Sequence, residues 1–112
     1  MIISKELLCE VLDIDERLCR LDKLIDNTLF FYTLNNTGEY QHYINIYELA
    51  HKCKQWVYKQ GFLIGSNCRN GVTVTDIDTY TILNHFDVDF EDFTEFEIKA
   101  CQWILDNKRI AK

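Results

Sequence analysis

The residues of this sequence that could carry out chemistry are scattered, and no known catalytic spacing joins them. His51 and Cys53 stand two positions apart in a predicted helix, so their side chains point to different sides. The sequence contains no G-x-S-x-G motif, no H-E-x-x-H motif and no phosphate-binding glycine loop, and it has four glycines in all. We therefore predict that the protein is not an enzyme and that it binds no cofactor and no metal ion.

Acidic residues are concentrated in one segment of the chain. Residues 72–98 contain eight Asp and Glu and no Lys or Arg, whereas the other residues contain 12 basic and 10 acidic side chains. This segment therefore carries all of the net negative charge of the protein, which is −6 in total. The acids that we predict to form a docking surface are Asp76, Asp78, Asp87, Asp89, Glu91, Asp92 and Glu95.

Two interpretations of these acids stay open. One is an ordinary solvated face, which is the usual role of a run of like charges. The other is an anionic surface that binds a basic groove on a partner, because Asp87, Asp89 and Glu91 would project from one face of a strand. A calcium-binding loop beginning at Asp87 is disfavoured, since its sixth position, where glycine is required, is Asp92, and a magnesium site from Asp76, Asp78 and a later carboxylate has no specific signal in its favour.

Basic residues provide an alternative site. Arg17, Arg20 and Arg69 would contact a small anionic molecule such as a nucleotide signal, and Arg69 lies beside an Asn-Gly turn. The central helix also has a basic outer face, which is more often solvated than bound to nucleic acid. Double-stranded-RNA-binding domains have a similar order of elements, but the acidic segment would repel phosphate. We predict no direct binding of nucleic acid.

The cysteines and the apolar runs indicate where the protein is located. The five cysteines have neither C-x-x-C nor zinc-finger spacing, which predicts reduced thiols. The N-terminus lacks the apolar run of a signal peptide, and no apolar stretch is long enough to span a membrane. We expect a cytoplasmic protein with a single domain over residues 1–112, which is long enough to bury a core.

Turn and cap signals divide the chain into elements. A short helix is predicted from Ser4 to Leu12, followed by a hairpin with its turn at Asp26-Asn27 and a third strand at Tyr40–Ile44. A helix over Asp15–Leu24 fits the pattern of the first strand equally well. The central helix is capped at Asn45 and ends before Gly61.

The second half of the sequence alternates apolar and polar residues and then returns to a helical period. Strands are predicted at Phe62–Cys68, Val72–Ile77 and Thr79–Asn84, and a closing helix begins with a capping box at Thr94 and Glu97. The predicted fold class is α+β, an antiparallel β-sheet with two long helices on one face plus a short N-terminal helix, as a two-layer sandwich. The aromatics in excess of one small core, which we expect to be partly exposed at an interface, are Tyr32, Tyr40, Tyr43, Tyr47, Tyr58, Tyr80, Phe93 and Phe96.

Residues 44–110 resemble the small αβββα sandwich domains of phage and prophage accessory proteins. The stretches that carry this resemblance are I-N-I-Y-E-L-A-H-K-C-K-Q-W and E-I-K-A-C-Q-W-I-L-D-N-K. The resemblance implies a phage-encoded interaction protein acting in the host cytoplasm. We therefore expect binding to a host protein or defence complex, which it would inhibit through its acidic and aromatic surface. Self-association and the sequestering of a nucleotide-like anion stay open beside it.

Overall fold

The computed structural model describes residues 1–67, 71–88 and 92–108, and within them it contains three α-helices and six β-strands. The α+β class and the antiparallel strand pairing predicted from the sequence are confirmed. In chain order the elements are α1 (Lys5–Leu12), β1 (Cys19–Ile25), β2 (Thr28–Asn35), β3 (Gly38–Asn45), α2 (Ile46–Lys59), β4 (Phe62–Asn67), β5 (Gly71–Asp76), β6 (Ile82–Phe86) and α3 (Phe93–Asn107).

The first sheet is an antiparallel meander in the order β1-β2-β3. Its first turn is at Asp26 and Asn27, which take φ values of 50° and 63°, the left-handed conformation of a tight hairpin turn that both residues tolerate. The alternative helix over Asp15–Leu24 is not formed. A single 3₁₀ turn, Glu16–Leu18, precedes β1, because strand pairing with β2 places Leu21 beside Phe31 in the core.

The second sheet has the order β4-β5-β6, so the six strands form two sheets where the sequence predicted one. The side chains of Ile64, Val72 and Val74 are buried in the common core. Helix α2 packs against β4, and α3 packs against all three strands and against α2. In the sequence, α2 lies between β3 and β4. Within each sheet, every strand pairs only with strands that are adjacent to it in the sequence.

Side-chain caps define the starts of the helices. Ser4 Oγ accepts from the N–H of Leu7 at 3.0 Å, and Asn45 Oδ1 accepts from the N–H of Tyr47 at 2.8 Å. Gly61, with φ +94°, follows α2 as predicted. These caps explain why the bounds of α1 and α2 could be predicted closely.

The capping box predicted at the start of α3 is wrong. The cap is Asp92, whose Oδ1 accepts from the N–H of Thr94 at 3.0 Å, so the helix begins at Phe93. Thr94 is therefore inside the helix, and Glu97 lies one turn further along and is buried instead of reaching back to the cap. Among the described residues, no helix has the length and apolar character needed to span a membrane.

Candidate functional site

A groove lies between α2 and β4 on the described surface. Its volume is ≈ 400 Å³. The residues of α2 that line it follow the i, i+3, i+4, i+7 spacing of one helical stripe, which lies beside the stripe that α2 buries in the core. The lining residues are His51, Lys54, Gln55, Tyr58, Lys59, Leu63 and Ile64.

The position of α2 explains why the groove exists. In the described part of the chain, β4 pairs with β5 alone and is therefore an edge strand of its sheet. Helix α2 packs against β4, whereas α3 reaches the middle of the sheet. The lining stripe of α2 forms one wall of the groove, and Leu63 and Ile64 of β4 form the other.

The groove combines cations with apolar surface. His51, Lys54 and Lys59 supply basic groups on the helix side, and the ring of Tyr58 is 62% exposed. Leu63 adds an exposed aliphatic side chain on the strand side. An anionic ligand with some apolar character fits this lining best, since its charges would lie near the helix and its apolar groups near Leu63.

A partly buried polar cluster lies beside the groove and includes one of its lining residues, Lys54. Glu97 Oε2 accepts from Lys54 Nζ at 3.1 Å and from Ser66 Oγ at 2.6 Å, which links α3 to α2 and to β4. The Glu97 side chain is 11% exposed and that of Lys54 is 36% exposed. Each of α2, α3 and β4 contributes one residue to this cluster.

The hydrogen bonds of the cluster differ from those of a serine nucleophile with a lysine base. A serine nucleophile needs a neighbouring base that can accept its proton, and a lysine serving as that base must be a neutral amine. Here Ser66 and Lys54 both donate to the same oxygen of Glu97, so the lysine is paired with a carboxylate. The three residues therefore form a charge-assisted hydrogen-bond network.

Buried thiols are equally poor nucleophiles. Burial, together with the neighbouring Cys19, raises the pKa of Cys9 to about 12. The hydrogen bond with Cys53, and then burial, raises the pKa of Cys101 well above its ordinary value. These four cysteines are free and buried, as expected of reduced thiols, and Cys68 lies outside the described residues.

Several of the predicted docking acids have partners within the chain. Asp76 Oδ1 accepts from the N–H groups of Asp78 at 2.9 Å and Thr79 at 3.0 Å, which closes the turn before β6. Asp92 caps α3. Glu95 lies 3.9 Å from the amino group of Met1 and 3.8 Å from Lys99 Nζ. These three carboxylates are partly neutralised or engaged within the chain itself.

The other predicted acids lie at two separate places. Asp78 is exposed before β6, and Asp87 is exposed after it, 3.6 Å from His85 Nδ1. A strand of this length separates its ends by roughly 15 Å, so the structure places the two carboxylates at opposite ends of β6. Asp89 and Glu91 lie outside the described residues.

The predicted anion-binding arginines already have partners. Arg17 contacts both carboxylate oxygens of Asp15, at 2.9 and 3.2 Å, and this contact holds the pKa of Asp15 below its usual range. Arg20 Nη2 donates to Glu39 at 2.9 Å, and its guanidinium lies 4.3 Å from the centre of the Tyr32 ring. Arg69 lies outside the described residues. A free anion would therefore have to displace a carboxylate at Arg17 or Arg20.

The predicted surplus aromatics divide into two groups. The rings of Tyr32, Phe93 and Phe96 are half-buried. The exposed ones are spread over the first sheet, α2 and the turn before β6, and they are Tyr40, Tyr43, Tyr47, Tyr58 and Tyr80. Of these, Tyr58 belongs to the groove.

Sequence reasoning found the basic face of α2 but missed the groove and the Glu97 cluster. The basic residues of α2 were interpreted as a solvated face, because the sequence alone does not show which strand packs beside the helix. Glu97 had a signal that could have been used: it precedes Ile98 and stands four positions before Cys101, so it belongs to the apolar stripe of α3. A carboxylate in such a stripe needs a partner.

The described residues contain no group of three or more His, Cys, Asp or Glu side chains that could hold a metal ion. In comparisons with protein-family models, with curated protein sequences and with solved structures, nothing matched this chain.

Proposed function

We propose that this protein is a non-catalytic binding domain that takes an extended acidic peptide of a partner protein as an additional strand beside β4. The observation that carries this proposal is the groove itself, which has a basic helical stripe on one wall and an edge strand on the other. Strand addition to an exposed sheet edge is a common mode of peptide recognition.

The proposal includes the two-layer arrangement predicted from the sequence, in which α2 and α3 cover one face of the second sheet. Val72 and Val74 alternate with half-buried threonines along β5, which supports one buried face. Both helices contact β4 and contact each other. With α2 in this layer, a peptide on the open edge of β4 would lie directly beneath the lining stripe.

The backbone of β4 would supply affinity without regard to sequence. An edge strand carries N–H and C=O groups that have no partner within its own sheet, and an added strand satisfies them with its main chain. Alternate side chains of that strand would then face α2. Recognition of the peptide would depend on these alternate positions.

The lining determines which peptides bind. His51 and Lys59 favour Asp and Glu at the positions that face α2, since Lys54 is already paired with Glu97, and Leu63 with Tyr58 favours an apolar residue between them. Rim charges act mainly on association rate and selectivity. Lys54 is held by Glu97, so His51 and Lys59 are the groups that are free to be changed without loss of the cluster.

A binding role agrees with the prediction of a protein–protein interaction, although through a basic groove. The prediction that a phage-encoded chain inhibits a host defence complex is retained as a proposal about the identity of the partner. Docking through the acidic segment is a second proposal, supported by the exposed carboxylates of Asp78 and Asp87. The anion-sequestering alternative is less favoured, because Arg17 and Arg20 are already paired.

The test is a selection of random ten-residue peptides displayed on the surface of phage, followed by fluorescence anisotropy with synthetic fluorescein-labelled peptides from the enriched pool. We expect enrichment of Asp and Glu at alternate positions around an apolar residue. The double variant His51→Glu, Lys59→Glu should weaken binding at least tenfold, which corresponds to about 1.4 kcal/mol. The matched control is Lys52→Glu, the same kind of change on α2 outside the groove.

A second arm tests the strand addition itself. Methylation of alternate backbone nitrogens of an enriched peptide should abolish binding when the methylated amides face β4, and should have little effect in the other register. Two results would contradict the proposal: enriched peptides without acidic residues, or acidic peptides that bind the double variant as tightly as the wild type.

A further inference from the structure

The edge of the first sheet at β3 is open in a way that the edge at β1 is not. Strand β3 pairs with β2 over eight successive residue pairs without a shift in register. Its sequence, G-E-Y-Q-H-Y-I-N, contains no Lys, Arg or Pro. By contrast, β1 has an irregularity between Leu21 and Leu24 and carries Arg20 and Lys23. Bulges and basic residues are the features that prevent edge strands from pairing.

The hairpin fixes which groups of β3 point outward. The loop between β2 and β3 has two residues, so the strands close on a hydrogen-bonded pair, Asn35 with Gly38. Hydrogen-bonded and non-hydrogen-bonded pairs then alternate along the strands. It follows that Glu39, Gln41 and Tyr43 direct their N–H and C=O groups away from β2, toward the open edge. In the described part of the chain, no other strand pairs with them.

We propose that the open edge binds a second copy of this chain, with β3 pairing antiparallel to the β3 of that copy and with the two Gln41 residues opposite each other. The two three-stranded sheets would then join into one sheet of six strands across a twofold axis. This inference is independent of the groove, which is on the other sheet.

The strand is complementary to itself in this register. Glu39 lies opposite Tyr43 of the partner subunit, and Tyr40 lies opposite His42 of the partner subunit, so no like charges face each other. A register centred on His42 would instead place the two imidazoles together and bring the start of α2 toward the partner. Glu39 is the one ionised residue of the strand, and it falls opposite a neutral ring.

Side chains along the edge are exposed and ordered by contacts within the hairpin. Tyr43 is 75% exposed, and Tyr40 is also exposed. His42 Nε2 lies 2.6 Å from Thr33 Oγ1, and its ring stacks on Phe31 with 5.2 Å between ring centres. Pairing would therefore cover aromatic surface without first having to order it, which reduces the entropic cost of association.

The interface is small, because seven residues of each strand face each other in this register. Interfaces below about 1,200 Å² of total buried area are typical of weak or transient complexes. We therefore expect a monomer in dilute solution and a dimer at high protein concentration. Self-association of this kind makes the apparent mass, 13.4 kDa for the monomer, depend on concentration.

The experiment is sedimentation equilibrium of the full chain at concentrations from about 5 to about 500 µM, a range that spans the dissociation constants of weak dimers. The expected result is a mass that rises toward twice the monomer value. Gln41→Pro removes an N–H that β2 does not use, so it should keep the hairpin and weaken dimerisation at least tenfold. Gln41→Ala is the matched control, since it retains the N–H and should still dimerise.

Amide hydrogen exchange keeps the proposal testable if Gln41→Pro fails to fold. In the wild type, the amide hydrogens of Glu39, Gln41 and Tyr43 should exchange more slowly at about 500 µM protein, where the dimer forms, than at about 5 µM. The groove variant His51→Glu, Lys59→Glu should dimerise like the wild type. A constant monomer mass, a folded Gln41→Pro variant that dimerises as well as Gln41→Ala, or exchange rates independent of concentration would each overturn the proposal.

Discussion

Removal of the Glu97 carboxylate is the most informative perturbation of the groove. The Glu97→Ala variant loses two hydrogen bonds to a charged group, each of which is typically worth about 1.5–3 kcal/mol. The contribution of the ion pair must be discounted, because Lys54 is 36% exposed and its ammonium can be solvated when the partner is removed. We therefore expect a loss of about 2–3 kcal/mol in the free energy of unfolding, below the simple sum of the two bonds.

Lys54→Ala provides the complementary measurement. It leaves the Glu97 carboxylate, whose side chain is 11% exposed, with Ser66 as its donor within the cluster. Since removal of one partner of a buried pair leaves an uncompensated charge, this variant should lose at least as much stability as Glu97→Ala, although Lys54 is the more exposed residue. The double variant Lys54→Ala, Glu97→Ala should lose less than the sum of the two single changes.

The assay is urea unfolding followed by tryptophan fluorescence at neutral pH. Glu95→Ala is the control, since Glu95 is on the same helix and its charged neighbours lie 3.8–3.9 Å away at the surface. It should change the free energy of unfolding by less than about 0.5 kcal/mol. If Glu97→Ala behaves like Glu95→Ala, or if the two single changes in the cluster are additive, the argument that this cluster fixes α2, α3 and β4 together is wrong.

Three further predictions concern the fold. Folding raises the pKa of Cys9 from 9.0 to about 12, so the contribution of this thiol to stability is fully present below pH 9 and is lost as the pH rises toward 12. The urea midpoint should fall over this pH range. An equal fall in the Cys9→Ala variant would contradict the assignment to Cys9. Gly71 has φ +77°, and a Cβ added there would overlap the carbonyl oxygen of Phe86, so Gly71→Ala should lower the free energy of unfolding in urea by about 3 kcal/mol. The control Gly65→Ala should lower it far less, because a Cβ at Gly65 would lie at an ordinary contact distance from Thr73. Equal losses would refute the clash. Tyr80 has φ +57° and an exposed ring, so Tyr80→Gly should stabilise the fold by about 0.5–1 kcal/mol and raise the melting temperature by a few degrees. A lower melting temperature would show instead that the ring stabilises the turn.

Local signals were sufficient for the elements that depend on neighbouring residues. The Asp26-Asn27 turn, the cap at Asn45 and the stop at Gly61 each act within about four positions, and each lies where it was predicted. The choice between helix and strand at Cys19–Ile25 was not local. It was decided by the pairing of β1 with β2, which places apolar side chains of both strands in the core.

Nonlocal features were the ones that sequence patterns did not determine. The number of sheets depends on which strands pair, and nothing in the apolar alternation of β3 or β4 states whether they are neighbours. The spacing of Thr94 and Glu97 matches a capping box by coincidence, because Asp92 is a better-placed cap and Glu97 has a partner on another helix. Spacing within one segment gave no information about that partner.

The charge of residues 72–98 shows how composition and surface differ. One of the eight acids, Glu97, is inside the protein, and Asp76 and Asp92 close a turn and a helix end. Strand β6 then separates the exposed Asp78 from the exposed Asp87. A run of like charges in sequence becomes a continuous surface only if the intervening backbone turns back on itself, and here an extended strand lies between the two exposed acids.

Both proposed binding modes use the backbone edge of a sheet, and neither requires a functional motif in the sequence. A catalytic site requires particular side chains in a particular geometry, which leaves a recognisable pattern. An open edge requires only that bulges, prolines, lysines and arginines be missing from one strand, as they are from Gly38–Asn45. Such a property depends on the strand order of the folded chain. The groove adds a few cations on α2, which look like any solvated helix face until β4 is placed beside them.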